Sequence, residues 1–162
     1  MKSISSLFTR MAFFFIFALT AIAVFGQTPD FSGKWKINPS KCKLNEQYSM
    51  APKSLVLVQT AGVLSIERHG VFQDQEYVSN SKLNLDGSES VNEGMMGMKM
   101  KSVAVWSDDK TTLTVKTKIP MENAGEISIT EVYKMAGVDL SIETSSKSDW
   151  GESTETYVFE KE

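Results

Sequence analysis

Hydrophobic and polar residues alternate with a period of two through most of the chain that follows residue 30. In the stretch FSGKWKI, one side holds Phe31, Trp35 and Ile37, while the two lysines between them fall on the other side. Side chains of a β-strand point alternately to its two faces, so this pattern predicts a half-buried strand. A helical pattern with a period of 3.6 residues is not evident in the same part of the sequence.

Turn-forming residues separate the alternating stretches at short intervals. SLVLVQ and VLSIER lie on either side of Ala61-Gly62, MKMKSVAVW and TTLTVKTKI flank SDDK, and EISITEVYKM and DLSIET flank AGV. Residues 73–79 and 82–85 are weaker strand candidates, and TYVF is the last one. Tight turns between alternating runs are typical of antiparallel hairpins. The pattern predicts one all-β domain, an up-and-down meander of about 8–10 strands that closes into a barrel or packs as a sandwich.

Two segments interrupt this regular pattern. Residues 38–53 form the longest stretch without alternation, and Pro39 and Pro52 bracket it, which predicts either a short helix or a lid. His69 is the only histidine, and the pair His69-Gly70 is typical of a turn.

One face of three neighbouring strands combines apolar bulk with polar groups. The lysines at 99 and 101 mark the outer side of the methionine-rich strand, so its methionines are predicted to point inward. Burying polar groups without partners is costly, so a mixed inner face predicts the wall of a pocket rather than a sealed core. The candidate ligand-binding residues on these strands are Met96, Met98, Met100, Ser102, Trp106, Val115, Ile129, Glu131 and Tyr133.

The first 26 residues are typical of a secretory signal peptide. Lys2 and Arg10 precede an apolar run that begins at Met11. Val24 and Gly26 at the end of the run fit the −3 and −1 positions of a cleavage site. The run is shorter than the ~20 apolar residues of a spanning helix, which argues against a membrane anchor. No cysteine lies beside it to accept a lipid. We therefore predict cleavage after residue 26 and a secreted or periplasmic domain of residues 27–162, without a membrane span.

The mature domain is predicted to be acidic and to lack a disulfide. Two of the 17 basic residues and none of the 20 acidic ones lie in the leader, which leaves a net charge of −5. Nucleic acids and anionic membranes select for basic surfaces, so neither is an expected partner. Cys42 is the only cysteine, so the domain must rely on its hydrophobic core for stability. Its thiol is either a small buried hydrophobe or a link between chains.

The stretch DFSGKWKINPSK resembles known proteins. Its Gly33-Lys34-Trp35 matches the Gly-x-Trp signature on the first strand of the calycin barrels, which include lipocalins and fatty-acid-binding proteins. With LDGSESVN, the strand of Trp106 and the closing TYVFEK, the mature chain resembles exported bacterial lipocalin-like proteins along its whole length. The resemblance implies a closed antiparallel barrel with Trp35 packed at its base and a small apolar ligand inside.

The sequence also departs from that pattern. It lacks the Thr-Asp-Tyr motif of the second lipocalin signature and an evident helical lid, and no late arginine is present to pack over Trp35. Fatty-acid-binding proteins carry an Arg-x-Tyr pair on the last strand that grips a carboxylate, and the matching positions here are Tyr157 and Phe159. Tyr157 is therefore a further candidate ligand-binding residue, but a fatty-acid ligand does not follow from the resemblance.

The sequence favours binding over catalysis. Glu131 is the one acid predicted to face inward, and His69 is not placed to activate a nucleophile, so no enzyme activity, cofactor or catalytic residue is predicted. The preferred function is an exported barrel that holds a small hydrophobic or amphipathic molecule. Thioether sulfur also suits Cu(I), so the cluster from Met95 to Met100 is an alternative metal site, although a straight strand brings three sulfurs together poorly. A barrel that binds another protein and no small ligand is the third alternative.

Overall fold

The computed structural model describes residues 28–46, 48–72, 74–94, 97–121 and 125–162. The predicted signal peptide and two members of the methionine cluster, Met95 and Met96, lie outside the described residues. Within these ranges the chain forms ten antiparallel strands and a 3₁₀-helix at Pro39–Lys41. The strands are β1 (Gly33–Ile37), β2 (Ser54–Gln59), β3 (Val63–Phe72), β4 (Gln75–Asn84), β5 (Glu89–Glu93), β6 (Lys99–Trp106), β7 (Thr112–Pro120), β8 (Glu126–Ala136), β9 (Asp139–Ser148) and β10 (Gly151–Lys161).

The strands form one sheet that curls into a nearly closed barrel. Their order is β4-β3-β2-β1-β10-β9-β8-β7-β6-β5. Strands that are consecutive in sequence therefore pair with each other, except β4 with β5, and β1 also pairs with β10. The two edges, β4 and β5, lie against each other without a backbone ladder. The all-β, up-and-down meander predicted from the alternation is confirmed, and it forms the barrel rather than the sandwich.

Side chains join the two edge strands where the ladder is missing. The Asn92 amide on β5 accepts a hydrogen bond from the Lys82 N–H at 2.8 Å and donates one to the Lys82 carbonyl at 3.0 Å. The Ser90 hydroxyl accepts a bond from the Asn84 N–H at 2.8 Å. Asn92 thus presents an acceptor and a donor to β4 much as a backbone strand would.

Three details of the strand prediction are wrong. No strand is predicted at Glu89–Glu93, where the structure has β5. The weak candidates 73–79 and 82–85 are one strand, β4, because the alternation continues through the polar positions between them. His69 is not in a turn but in the β3–β4 ladder, opposite Val78. Its ring lies on the outer face, where Nε2 is 2.6 Å from the Glu67 carboxylate and so has a hydrogen-bond partner.

The barrel is closed at one end by a packed aromatic core. Trp35 is buried, and its indole N–H donates to the Phe31 carbonyl at 2.9 Å. The Phe31 ring stacks on Trp106 with ring centres 5.7 Å apart. Stacked and tilted aromatic rings stabilise a core beyond the area they bury. The remaining core side chains are Leu55, Leu57, Leu64, Ile66, Leu83, Ala104, Leu113, Val115, Tyr133, Leu140, Ile142, Tyr157 and Phe159.

Lysines lie on the outer face of two strands of the barrel. Lys99, Lys101, Lys116 and Lys118 all lie exposed on β6 and β7, where the alternation places them opposite the inward side chains. Within the described ranges, no helix has the length and hydrophobicity that a membrane crossing requires.

Candidate ligand-binding cavity

A cavity of about 220 Å³ lies inside the barrel between β3, β4, β6, β7 and β8. This volume is below the roughly 300–1,000 Å³ of sites for drug-sized molecules, so the space has room only for a smaller molecule. Its walls mix apolar, hydroxyl and charged side chains. They are Met50, Arg68, Tyr77, Ser79, Ser81, Leu83, Gly94, Met100, Ser102, Val115, Thr117, Ile129 and Glu131.

A charged pair crosses the cavity from one wall to the other. Arg68 lies on β3 and Glu131 on β8, five places apart in the ten-stranded order, so the two strands are on opposite sides of the barrel. The Arg68 Nη2 lies 3.2 and 3.1 Å from the two carboxylate oxygens of Glu131. The two side chains are only 22% and 18% exposed, so little water screens their attraction.

Two further hydrogen bonds hold the Arg68 head group. Its Nη1 donates to the Ser81 hydroxyl at 3.1 Å, and Nη2 donates to the Tyr133 hydroxyl oxygen at 2.8 Å. Burial acts to lower the pKa of Arg68, but the Glu131 charge, Tyr133 and the hydrogen bonds to both raise it above its ordinary value. Burial is the main cause that raises the pKa of Tyr133. Arg68 is therefore charged and Tyr133 neutral throughout the physiological range.

The other side of the cavity is apolar. Met100, Val115 and Ile129 supply it from β6, β7 and β8. The Tyr77 ring packs from β4 against Gly70, its register partner on β3, and a Cβ at position 70 would lie 2.5 Å from that ring. Glycine at this position is therefore required for Tyr77 to reach its place in the wall.

The remaining inward polar groups bond to each other. Ser102 and Thr117 are register partners on β6 and β7, and their hydroxyl oxygens lie 2.8 Å apart. On β10 the Glu155 carboxylate accepts bonds from the Tyr157 hydroxyl at 2.6 Å and from the Asn45 N–H at 2.8 Å. The prediction that Glu131 is the one inward acid is therefore wrong, because Glu155 is buried as well.

The structure brings five of the ten predicted ligand-binding residues into the cavity wall: Met100, Ser102, Val115, Ile129 and Glu131. Tyr133 joins them indirectly through its bond from Arg68. Trp106 lies at the far end of β6 and lines a separate depression near Asp30 and Lys110.

Of the other three predicted residues, Tyr157 and Met98 do not line the cavity, and Met96 cannot be placed. Tyr157 is buried against Phe159 and bonded to Glu155. Met98 is half-buried just before β6, where its carbonyl accepts the Gly94 N–H at 2.7 Å, and it is not part of the wall. Met96 is outside the described residues.

Arg68 is the main wall residue that the sequence reasoning missed. It follows Leu64 and Ile66 at intervals of two on β3, so the alternation already places it on the inner face. Tyr77 and Ser79 lie within the strand candidate 73–79, and Ser81 lies between the two candidates. None of the three is predicted to face inward, because polar residues occupy both faces of this strand. Met50 comes from the irregular segment, where no periodicity exists to assign a face.

The arrangement is suited to holding a molecule by packing and hydrogen bonding. In the described ranges, every buried side-chain nitrogen and oxygen has a hydrogen-bond partner. The same ranges contain no group of three His, Cys, Asp or Glu side chains placed to share a metal ion. The charged pair, the hydroxyl pair and the apolar wall together form an amphipathic interior.

Solved structures of other proteins have the same architecture. Zebrafish ileal bile acid-binding protein, in complex with cholic acid, matches with a TM-score of 0.58 at 16% identity over 82% of this chain and 98% of that chain. An abundant heat soluble (SAHS) protein from Ramazzottius varieornatus matches with a TM-score of 0.59 at 16% identity, over 82% and 95%. The fatty acid transporter REP1-NXSQ matches with a TM-score of 0.56 at 10% identity, over 81% and 95%.

This likeness shows the fold. The chain has a lipocalin/fatty-acid-binding-protein-like barrel fold, and identities of 10–16% establish no more than that architecture. Neither a family model nor a curated protein matches the sequence.

Proposed function

We propose that this chain is an exported binding protein whose barrel holds a small hydrophobic or amphipathic molecule between Met100 and the Arg68–Glu131 pair. One observation carries the proposal: an interior cavity of about 220 Å³ is kept inside a barrel whose other end is tightly packed. Protein interiors rarely retain voids larger than a water molecule. A cavity on which polar groups converge, although smaller than most small-molecule sites, therefore favours a small ligand.

Two further observations support the proposal. The zebrafish neighbour contains cholic acid, and another neighbour is a fatty acid transporter, so barrels of this architecture accommodate apolar molecules. Export rests on the leader of residues 1–26, with its basic start, its apolar run and its small residues near the end.

A dye titration of the exported protein tests the proposal. The full-length sequence is expressed in a bacterial host, and the product outside the cytoplasm is purified and titrated with 1-aminoanthracene, a small uncharged fluorophore that brightens in apolar surroundings. We expect saturable binding to one site and a mature N-terminus at Gln27.

Two variants on adjacent positions of β4 locate the site. Ser79→Trp should abolish dye binding because the indole fills the cavity that Ser79 lines. Asn80→Trp makes the same addition one residue later on the exposed outer face and should leave binding unchanged. Full binding by a folded Ser79→Trp variant would place the dye elsewhere and refute the proposed site.

A further inference from the structure

We infer that the cavity selects uncharged amphiphiles, such as a short-chain alcohol, over carboxylates and ammonium ions of the same length. The inference rests on the proposed function of the cavity as a ligand site, and it concerns the head group that the site accepts.

The arginine in the cavity wall is already neutralised by the protein itself. Both carboxylate oxygens of Glu131 accept hydrogen bonds from the Arg68 Nη2, at 3.2 and 3.1 Å. Ser81 and Tyr133 accept two more of its N–H bonds. A ligand carboxylate that bound Arg68 would have to displace Glu131 and leave that acid unpaired in a poorly screened interior, which is strongly unfavourable.

The other interior charge adds to the cost of an anionic head group. Glu155 is buried on β10, so Arg68, Glu131 and Glu155 together give the barrel interior that the structure describes a charge of −1. Both Glu155 oxygens already accept hydrogen bonds, from the Tyr157 hydroxyl and the Asn45 N–H. Glu131 and Glu155 therefore already have hydrogen-bond donors, and a ligand ammonium would find no free carboxylate to pair with. Burying an unpaired ion of either sign is costly.

Uncharged polar groups meet no such penalty. Ser79, Ser81, Ser102 and Thr117 present hydroxyl groups to the cavity, and a hydroxyl can both donate and accept. Met100 and Ile129 form the apolar wall beside them, and methionine adapts its shape to different ligands. With about 220 Å³ of space, the wall suits a short chain with one polar end.

The test compares three ligands that share an octyl chain and differ only in the head group: 1-octanol, octanoate and octylammonium. Each displaces 1-aminoanthracene from the exported protein near pH 8, where the acid and the amine are both ionised. We expect 1-octanol to bind at least about tenfold more tightly than either ion. Octanoate or octylammonium binding as tightly as 1-octanol would overturn the inference while leaving the cavity as a ligand site. Failure of the dye and of all three ligands to bind would refute the proposed function itself.

A substitution of the internal counter-ion makes the prediction sharper. Glu131→Gln keeps the shape of the side chain but removes the charge that neutralises Arg68, so the affinity for octanoate should rise about tenfold relative to that for 1-octanol. Glu143→Gln removes the same charge from the exposed face of the neighbouring strand β9 and should alter neither affinity. Unchanged octanoate affinity in a folded Glu131→Gln protein would show that Glu131 does not set the selectivity. If this variant does not fold, the comparison of the three octyl ligands in the parent protein still tests the inference.

Discussion

The Lys161 ammonium lies 5.5 Å from the centre of the Trp35 ring, and the two residues are register partners across β1 and β10. A cation over an indole face is attracted to its π electrons. The sequence offers no late arginine for this position, and a lysine supplies the cation instead. Gly33 makes the approach possible, because a Cβ at that position would lie 2.8 Å from the Lys161 Cε. The motif Gly33-Lys34-Trp35 thus has a geometric basis in this chain.

Truncation of Trp35 should remove most of the stability of the barrel. Its side chain is 1% exposed, and deleting a buried tryptophan costs about 3–5 kcal/mol. We expect Trp35→Ala to yield little folded protein, as measured by urea unfolding of whatever is recovered. Trp150→Ala is the matched control, because Trp150 is 69% exposed at the β9–β10 hairpin and its loss should change the unfolding free energy by less than about 0.5 kcal/mol. Equal stabilities of the two variants would contradict the role of Trp35.

Alanine at position 33 should destabilise the barrel although it adds one carbon. Gly33 has a φ of +147°, a conformation that residues with a Cβ rarely adopt, and the added carbon would also press on the Lys161 stem. The expected loss is about 1–3 kcal/mol in the free energy of unfolding. Gly62→Ala in the β2–β3 turn has open space around its Cβ and is the control, with an expected change below about 0.5 kcal/mol. A Gly33→Ala protein as stable as the control would mean that the backbone relaxes freely there.

The fold was largely predictable because it depends on local alternation. Each strand buries one face, so the period of two and the turn residues between strands are enough to predict a β-meander. The errors at His69 and in β4 arose where polar residues occupy both faces. Ser79 and Ser81 face the cavity rather than solvent, and an inward serine has the same sequence signature as an outward one.

The site was less predictable because it depends on contacts across the barrel. Arg68 and Glu131 are 63 positions apart in sequence, and they meet because five strand-to-strand steps bring β3 opposite β8. Alternation assigns each residue to the inner face but does not specify which inward residues touch. Glu155 shows the same limit, because it precedes the predicted strand TYVF and its inward position was not predicted. Its bond from the Asn45 N–H depends on the folded loop.

Replacing Cys42 should affect stability according to whether the new side chain can accept a hydrogen bond. The half-buried Sγ accepts the Val158 N–H at 3.2 Å and lies 3.2 Å from the Asn38 carbonyl, to which the thiol donates. Cys42→Ser keeps a donor and an acceptor and should stay within about 0.5 kcal/mol of the parent. Cys42→Ala leaves the Val158 N–H without that acceptor and should cost about 1 kcal/mol. Urea unfolding under reducing conditions measures both, and a serine variant weaker than the alanine variant would contradict the expectation.

Alkaline pH should destabilise the barrel through its buried tyrosines. Burial, with the hydrogen bond to Glu155 in second place, raises the pKa of Tyr157, and burial raises that of Tyr133, above the ordinary value of 10. The folded chain therefore keeps protons that the unfolded chain releases at high pH. The contribution of these protonated tyrosines to stability is complete below about pH 10 and is lost progressively as the pH rises further. The unfolding free energy should fall above about pH 10, as measured by urea unfolding at several pH values.

Two tyrosine variants separate this effect from general alkaline damage. Tyr133→Phe removes one of the titrating groups and should flatten the alkaline fall, although it also loses the bond from Arg68 and starts from a lower stability. Tyr48→Phe alters a tyrosine that is 59% exposed and should leave the slope as it is in the parent. Identical slopes in all three proteins would assign the alkaline effect to other groups.

Loss of the Asn92 side chain should loosen the contact between the edge strands β4 and β5. Its amide makes both hydrogen bonds to the Lys82 backbone, at 2.8 and 3.0 Å, and no backbone ladder replaces them. In Asn92→Ala the Lys82 amide should exchange its hydrogen markedly faster, whereas the Asn84 amide, held by the Ser90 hydroxyl, should be affected less. Residue-resolved hydrogen exchange measures both amides in one experiment. Asn80→Ala, on the exposed face of β4, is the control and should change neither.

The same variant links this contact to ligand exchange. Ser81 and Leu83 line the cavity from β4, on either side of Lys82, so the contact between the edge strands lies directly beside the proposed site. If ligands pass between β4 and β5, Asn92→Ala should speed both the binding and the release of 1-aminoanthracene in stopped-flow measurements. The equilibrium affinity should change little, because the cavity wall itself is intact. Faster exchange of the Lys82 amide without faster dye kinetics would mean that ligands enter elsewhere. The next opening to test would then be at Met50 and Gly94, because both line the cavity from segments outside the strands.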